Sequence, residues 1–393
     1  MKITEVKATV LQYSYENAIA DAQNYFSTRS CVIVQIFTDN GITGIGESAC
    51  FGGPAVNTKY IVENELAPIV IGEDPTMIEY IWKKMFDQTR QHGRGAIINS
   101  AMSGIDIALW DILGKAAGLP VYKLLGGYTN RLLPYASSGF YARGKTTQAI
   151  ADEIESYYQQ GYRYAKIKVG RNPEVFMTPL PNMRFAEECN YSLDEDLERV
   201  AACCEVANRY HAKLMVDANN TWNTFTALKM CREFEKMGVF WIEEPLYLDN
   251  IEGSVELAAA LDMPVAGYES ETGGFYRFKE LIDRHAIDIV QCDAIWSGGF
   301  TECRRIANYA LGHSMPVIPH VFSSAISLAA NMHLMASLSN TGILEFDRNV
   351  YPLRDELLKE PIHVAEDGYV YLPDTPGLGI ELRQDTIEKY FLA

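Results

Sequence analysis

The sequence predicts an α/β protein, a modified (β/α)8 TIM-type barrel with an N-terminal α+β capping domain. Three observations carry that expectation. Eight short apolar runs alternate with helix-length segments from about residue 132 onward. The first 120 or so residues lack this alternation and read as strands followed by helices. Seven of the eight runs also end in ionisable side chains, which a barrel would gather on one face.

Residues 1–50 read as antiparallel strands, "KITEVKATVLQY" and then "SCVIVQIFTDNGITGIGESA", with a hairpin turn at Asp39-Asn40-Gly41. Helical patterning follows over 56–118, where "INSAMSGIDIALWDILGKAAG" is apolar at i, i+3, i+4 and i+7. Residues 1–125 are therefore assigned to the capping domain and 126–355 to the barrel. The barrel runs are "LLPYASS", "YRYAKIK", "AKLMVDA", "VFWIEE", "MPVAGYE", "IDIVQCD", "MPVIPH" and "GILEFD". A doubly wound sheet is the structural alternative, but the first run is not followed by a GxGxxG turn. The tail, 356–393, reads as strands and turns that pack back on the capping domain.

Net charge is −17, with no basic tract, which argues against nucleic acid or an anionic membrane as partner. No run of about 18 apolar residues predicts a membrane span, and "MKITEVKATV" lacks the apolar core of a secretory signal. The eight cysteines are scattered without CxxC spacing, as expected of reduced thiols. The expectation is a soluble, cytoplasmic protein.

The run ends carry the chemistry. In "AKIK", Lys166 and Lys168 lie two apart on a strand and so share one wall. Two buried ammonium groups side by side require strong negative charge nearby. Asp217, Glu243 and Glu269 end three consecutive runs at spacings of 26 and 26, equivalent positions in successive βα units. Three convergent carboxylates repel unless a hard divalent cation neutralises them, and an oxygen-only set suits Mg²⁺, with Mn²⁺ as an imitator. Asp293 and His320 end adjacent runs, and a carboxylate beside an imidazole fixes its tautomer and raises its basicity. Glu244 is expected on the opposite face of its strand. A phosphate-binding barrel is prompted by "SGG" at 297–299, and a barrel that binds metal and ligand without turnover is a further alternative.

The motifs "KIK", "VDAN", "IEEP", "AGYE", "CDAIWSGG", "PH" followed by "SLAANMHLMA", and "LEFD" together resemble the enolase superfamily, and within it the mandelate racemase subgroup. The resemblance covers nearly the whole chain. It implies one Mg²⁺ per site, held by Asp217, Glu243 and Glu269. It further implies Lys168 as base on one face of the substrate, Lys166 as the neighbour that depresses its pKa and contacts the carboxylate, and His320 oriented by Asp293 on the other face. Glu345 resembles the group that hydrogen-bonds the substrate carboxylate. Asn219 and Ser137 are carried over as substrate contacts, and Tyr25, Arg29 and Phe51 as contacts from loops of the capping domain. A lysine in place of Asp293 would mark the muconate-lactonizing subgroup.

The implied reaction removes the proton alpha to a carboxylate, forms an enediolate and eliminates water from an aldonate or aldarate to give a 2-keto-3-deoxy acid. A racemase, epimerase or cycloisomerase using the same two bases is the alternative. The implied partner is a small carboxylate substrate, and the implied assembly a homo-oligomer, dimer or octamer. The long segment 170–193 is expected to be a substrate-enclosing lid, an oligomer contact or a surface insertion.

Overall fold

The structure, a computed structural model, describes residues 1–93, 95–172, 190–271 and 273–393. The chain opens with β1 (Ile3–Ala20), β2 (Tyr25–Thr38) and β3 (Thr43–Ser48), an antiparallel meander. Helical segments follow: α1 (Ala55–Tyr60), a π-helical turn (Ile61–Leu66), α2 (Ala67–Val70), α3 (Ile78–Gly93), α4 (Ala96–Ala117) and α5 (Val121–Leu124). Stretch 14–30, expected as loop, is instead the outer half of the β1–β2 ribbon, with its tip at residues 21–24. Exposure along that half of the ribbon does not alternate, which leaves it no clear apolar face, so its sequence resembles a polar loop.

Helix α4 lies against β3 at very short range. A Cβ on Gly46 would collide with the Gly104 carbonyl, so only glycine fits. By length and hydropathy the 22-residue α4 could cross a membrane, which the sequence reading did not expect, yet 78% of its apolar window is buried in the fold. It is a core helix. The seven described cysteines are free thiols.

The barrel begins with β4 (Arg131–Leu132), β5 (Pro134–Ser137), β6 (Tyr141–Ala142), α6 (Thr147–Gln159) and β7 (Tyr164–Lys168). It continues through α7 (Leu193–Arg209), β8 (Lys213–Asp217), α8 (Thr224–Met237), β9 (Ile242–Glu243), α9 (Ile251–Ala260), β10 (Val265–Gly267), α10 (Phe275–Asp283) and β11 (Ile289–Val290). Helices α11 (Gly299–Gly312) and α12 (Ala325–Ala336), β12 (Leu344–Asp347) and α13 (Pro352–Asp355) complete it. The parallel strands run in the order β11-β10-β9-β8-β7-β5-β12. The seventh expected strand, "MPVIPH", forms no strand among the described residues. Val317 alone bridges Val290 on one side and Thr341 on the other, and so closes the ring. Pro316 and Pro319 flank it and have no N–H to give to a ladder.

Segment 170–193, singled out as a lid, contact or insertion, lies mostly outside the described residues. Its far stem is fixed by a capping box at Ser192 and Glu195, which starts α7 and contributes about 1 kcal/mol. The glycine pair of "SGG" is a domain joint rather than a phosphate cradle. The Trp82 indole donates to the Gly298 carbonyl at 2.9 Å, and a Cβ on Gly299 would strike Asp106. Glu47 of β3 makes a second joint, accepting from the Ser323 and Ser324 hydroxyls and, at 2.9 Å, from the Ser327 N–H at the start of α12.

In the tail, β13 (Val370–Tyr371) pairs with β4, and after α14 (Gln384–Tyr390) the terminus returns to β1, where Leu392 N–H donates to the Val10 carbonyl at 2.9 Å. Buried His333 on α12 ties the tail to the body: its Nδ1 accepts from Tyr122 N–H at 3.1 Å, so Nε2–H donates to the Leu378 carbonyl at 3.0 Å.

Burial drives the His333 pKa down to about 4. In the unfolded chain histidine takes its proton near about 6.5, so between these values the unfolded state binds more protons and stability falls as pH falls. Unfolding free energy should drop by about 2 kcal/mol through this residue between about pH 7 and about pH 5. Urea denaturation of wild type and His333→Gln at both pH values checks this; equal pH slopes in the two proteins would refute it.

Candidate active site

Lys166 and Lys168 alternate with apolar Ile167 on β7, and both are buried at the carboxyl end of the barrel. Lys166 pairs directly with Glu243, lies 2.9 Å from Glu345 Oε1 and 3.9 Å from Asp217 Oδ2. Lys168 pairs with Asp217. Burial and, as expected, Lys166 pull the Lys168 pKa down, but Asp217, Glu269 and Glu243 together outweigh them, and the net shift holds the ammonium above its ordinary value. Lys166 is lifted further, against burial, by Glu243 and Glu345.

Asp217 and Glu243 end β8 and β9, and Glu269 follows β10 by two residues. All three are buried, and one carboxylate oxygen from each lies within 4.8 Å of the others. Burial pushes Glu243 up, and Glu269 up to about 7, as befits carboxylates crowded with too little positive charge. Glu269 Oε2 and Asn219 Oδ1 are buried and lack partners. Two orphaned acceptors beside a buried carboxylate triad are what a hard divalent cation satisfies, so the donor set fits Mg²⁺.

Backbone strain concentrates here. Of eight described non-glycine residues with positive φ, four immediately follow these strands: Asn219 (41°), Asn220 (62°), Glu244 (41°) and Tyr268 (65°). Asn219 directs its Nδ2 at Asp217 Oδ2, 3.2 Å away, while the turn at Glu244 points that side chain outside the triad, to Asn220 and to Ser270 N–H.

His320 sits at the end of the Val317 segment, its Nδ1 2.9 Å from Asp293 Oδ2 and its Nε2 3.8 Å from Glu269 Oε1. Asp293 is fixed in turn by Asn331 Nδ2 at 2.8 Å and Ile295 N–H at 3.0 Å. Burial opposes a charge on His320, but Glu269 and Asp293 outweigh it and raise the imidazole to about 10. Phe51 and Trp296 flank the ring, with centroids 5.9 and 6.1 Å away.

Other expected residues fare differently. Ser137 ends β5 and donates to Glu345 Oε1 at 2.7 Å, and Glu345 Oε2 accepts from Val321 N–H at 2.8 Å. Burial acts to raise Glu345, but Lys166 and His320 hold it down at about 2, so it is an acceptor only. Arg29 is not free at a loop: it is buried within β2, 2.8 Å from Asp347 Oδ2 and clasped between the rings of Phe322 and Tyr351. Tyr25 begins β2, half-buried, opposite Ala20.

Sequence reasoning missed Gln291 and Trp241, which donate to Glu243 Oε2 at 2.9 and 3.3 Å. Both lie two residues before a strand-end acid, so period-two alternation could have found them. It also missed Asn331, although its motif was noted.

A capped barrel with a carboxylate triad set between a lysine pair and a histidine–aspartate dyad defines an enzyme of the enolase type. The model of the mandelate racemase / muconate lactonizing enzyme N-terminal domain matches residues 6–126, and that of the enolase C-terminal domain-like family matches 149–386. The chain belongs to this mandelate racemase branch of the enolase superfamily. It is 37% identical to an arabinonate dehydratase of Saccharolobus solfataricus over 91% of this chain and 90% of that one. A D-galactarolactone cycloisomerase of Agrobacterium fabrum is 31% identical over 99% of both. The solved L-talarate/galactarate dehydratase of Salmonella typhimurium, liganded with Mg and L-lyxarohydroxamate, superposes with TM-score 0.85 at 30% identity, covering 100% of this chain and 93% of that one.

Mg²⁺ should raise the thermal midpoint, by the equivalent of about 2–3 kcal/mol at a hundredfold excess over Kd. Asp217→Asn should abolish that shift in differential scanning fluorimetry with and without EDTA. A full Mg²⁺ shift in the variant would remove Asp217 from the cation site.

Proposed function

We propose that this enzyme removes the proton alpha to the carboxylate of a sugar acid and eliminates the β-hydroxyl as water, giving a 2-keto-3-deoxy acid. The observation that carries the reading is that the lysine pair contacts Asp217 and Glu243 of the carboxylate triad, while His320 of the dyad lies 3.8 Å from its third member, Glu269. That arrangement offers a proton acceptor and a proton donor to the two faces of one bound substrate. In this reading Asp217, Glu243 and Glu269 would hold one Mg²⁺, whose charge would acidify the α-proton of a bound carboxylate.

Lys168 Nζ accepts the α-proton when its ion pair with Asp217 opens, since burial and Lys166 both favour its neutral form. Lys166, anchored by Glu345, meets the substrate carboxylate and the negative charge that develops on it. His320, whose imidazole Glu269 and Asp293 hold above its ordinary value against burial, delivers a proton to the departing hydroxyl, with Asp293 holding the ring. The enol so formed tautomerises to the keto acid. Asn219 and Ser137 position Asp217 and Glu345. Barrel segment 126–355 is the catalytic unit in this reading and 1–125 its cap, in a cytoplasmic homo-oligomer. The arabinonate dehydratase relative supports dehydration, and the full-length match to a cycloisomerase favours ring opening or closure at the same two bases as the second reading.

Lys168→Ala and His320→Asn should each lower kcat by about a thousandfold without unfolding the protein. Sugar acids incubated with Mg²⁺ and assayed for keto acid with semicarbazide check this, alongside circular dichroism of both variants. Full activity in either variant would end the two-base assignment. Solvent deuterium at C2 of recovered acid with no keto product would select epimerisation.

A further inference from the structure

Two carboxylates of the capping domain are seated on the first turns of two consecutive barrel helices. Helix α11 begins after Gly298, which has no side chain to cap it, and Asp106 of α4 takes that place. Its Oδ2 accepts from Thr301 N–H at 3.0 Å and its Oδ1 from the Thr301 hydroxyl at 2.6 Å. At α12, Ser324 caps the N–H of Ile326, and Glu47 of β3 accepts from the next one, Ser327 N–H. Thr301 and Ser327 are each the third residue of their helix, where backbone donors are free and the helix dipole favours an anion. Both acids are buried, and their hydrogen bonds among the described residues come from hydroxyls and backbone N–H groups.

These helices directly follow the two halves of the dyad. The turn between Asp293 and α11 is gripped by the cap: Ala49 N–H donates to the Ile295 carbonyl at 3.0 Å, and Gly298 N–H donates to Ser103 Oγ at 2.9 Å. Between His320 and α12, the Ser323 and Ser324 hydroxyls donate to Glu47. Asn331 of α12 reaches back across, its Nδ2 donating to Asp293 Oδ1 at 2.8 Å and its Oδ1 accepting from Ala294 N–H at 3.0 Å. The 2.9 Å contact between Asp293 Oδ2 and His320 Nδ1 therefore closes a ring that includes the starts of α11 and α12, and the cap sets the spacing of those starts. The lysine pair is held differently, since β7 takes its register from β5 and β8 within the barrel.

We propose that Glu47 and Asp106 are positioning residues for the His320–Asp293 dyad. Seated on the first turns of α12 and α11, they fix the imidazole and its carboxylate in place, while the barrel alone places the lysine pair. The inference rests on the two-base reading above and deepens it, because it makes one base depend on the cap and the other not.

Glu47→Gln and Asp106→Asn keep the shape of each side chain but put an amide where N–H and hydroxyl donors converge. Wild type, both variants and His320→Asn are to be incubated with sugar acids and Mg²⁺ in D₂O. Deuterium at C2 of recovered acid and any C2 epimer are followed by NMR, keto acid by semicarbazide, and folding by the thermal midpoint. The expected result is a shift towards the behaviour of His320→Asn, with product formation falling at least about tenfold more than C2 exchange, since exchange needs only Lys168. Where Glu47→Gln does not fold, Ser323→Ala, which removes one hydroxyl from Glu47, is expected to move the same ratio in the same direction. Equal losses of exchange and product, or no loss of either, overturn the positioning role and leave the proposed reaction standing. Wild type that neither exchanges nor turns over any acid overturns the reaction itself, and the positioning role with it.

Discussion

Everything at the barrel mouth depends on neutralising a buried cluster of charges. Lys166 and Lys168 face Asp217, Glu243, Glu269 and Glu345, all almost wholly removed from solvent. Each buried ion costs several kcal/mol unless a partner and further hydrogen bonds compensate it. Most ions in the cluster have an assigned neighbour, whereas Glu269 keeps one carboxylate oxygen without a partner. Lys166 sits between Glu243 and Glu345, Gln291 and Trp241 hold the far oxygen of Glu243, and Ser137 and Val321 N–H hold Glu345. A one-residue slip of β7 would turn both ammonium groups away from the acids and Ile167 into them, so the charge cluster fixes strand register as firmly as the core does.

Part of this was legible in the sequence because it repeats with the fold's own period. Lys166 and Lys168 obey the two-residue alternation of a strand, and the equal spacing of Asp217, Glu243 and Glu269 follows the βα unit. The Asp293–His320 pairing could be read from adjacent strand ends. What was not legible depends on contacts distant in sequence or on backbone chemistry that an apolar pattern conceals. "MPVIPH" reads as a strand by hydrophobicity, but its two prolines leave Val317 as a lone bridge. Arg29 reads as a loop cation because nothing near it in sequence reveals Asp347, 318 residues away. The outer β1–β2 ribbon escapes notice because both its faces meet solvent or other elements unevenly, which removes the alternation that marks a half-buried strand.

The lysine electrostatics were legible only in part, for a related reason: Lys166 does lower Lys168, but the net shift is upward. The sequence shows two like charges side by side, which argues for lowered pKa values. The fold adds carboxylates from β8, β9 and β12 on the same face, and these outweigh both burial and the neighbouring ammonium. Sign, in such a cluster, is set by the complete list of neighbours across strands, and a single strand supplies only one of them.

Cap and barrel are joined at points that lie beside the chemistry. Glu47 of β3 binds the start of α12, just after the segment that carries His320. Gln23 of the ribbon tip bonds the carbonyl of Asn219, whose side chain touches Asp217. Arg29 of β2 pairs with Asp347 at the end of β12, two residues beyond Glu345. These contacts reach the start of α12 and the ends of β8 and β12, so the cap cannot shift without moving groups next to the triad, the dyad or the lysine anchor. The acids and bases sit on the barrel, whose strand register is fixed by buried charge, whereas Phe51, which flanks His320, comes from the cap, where fewer constraints meet. Changes in selectivity are therefore physically easier to accommodate in the cap. The cap must still preserve those joints, and that requirement limits which of its residues can vary: Phe51 more freely than Glu47 or Arg29.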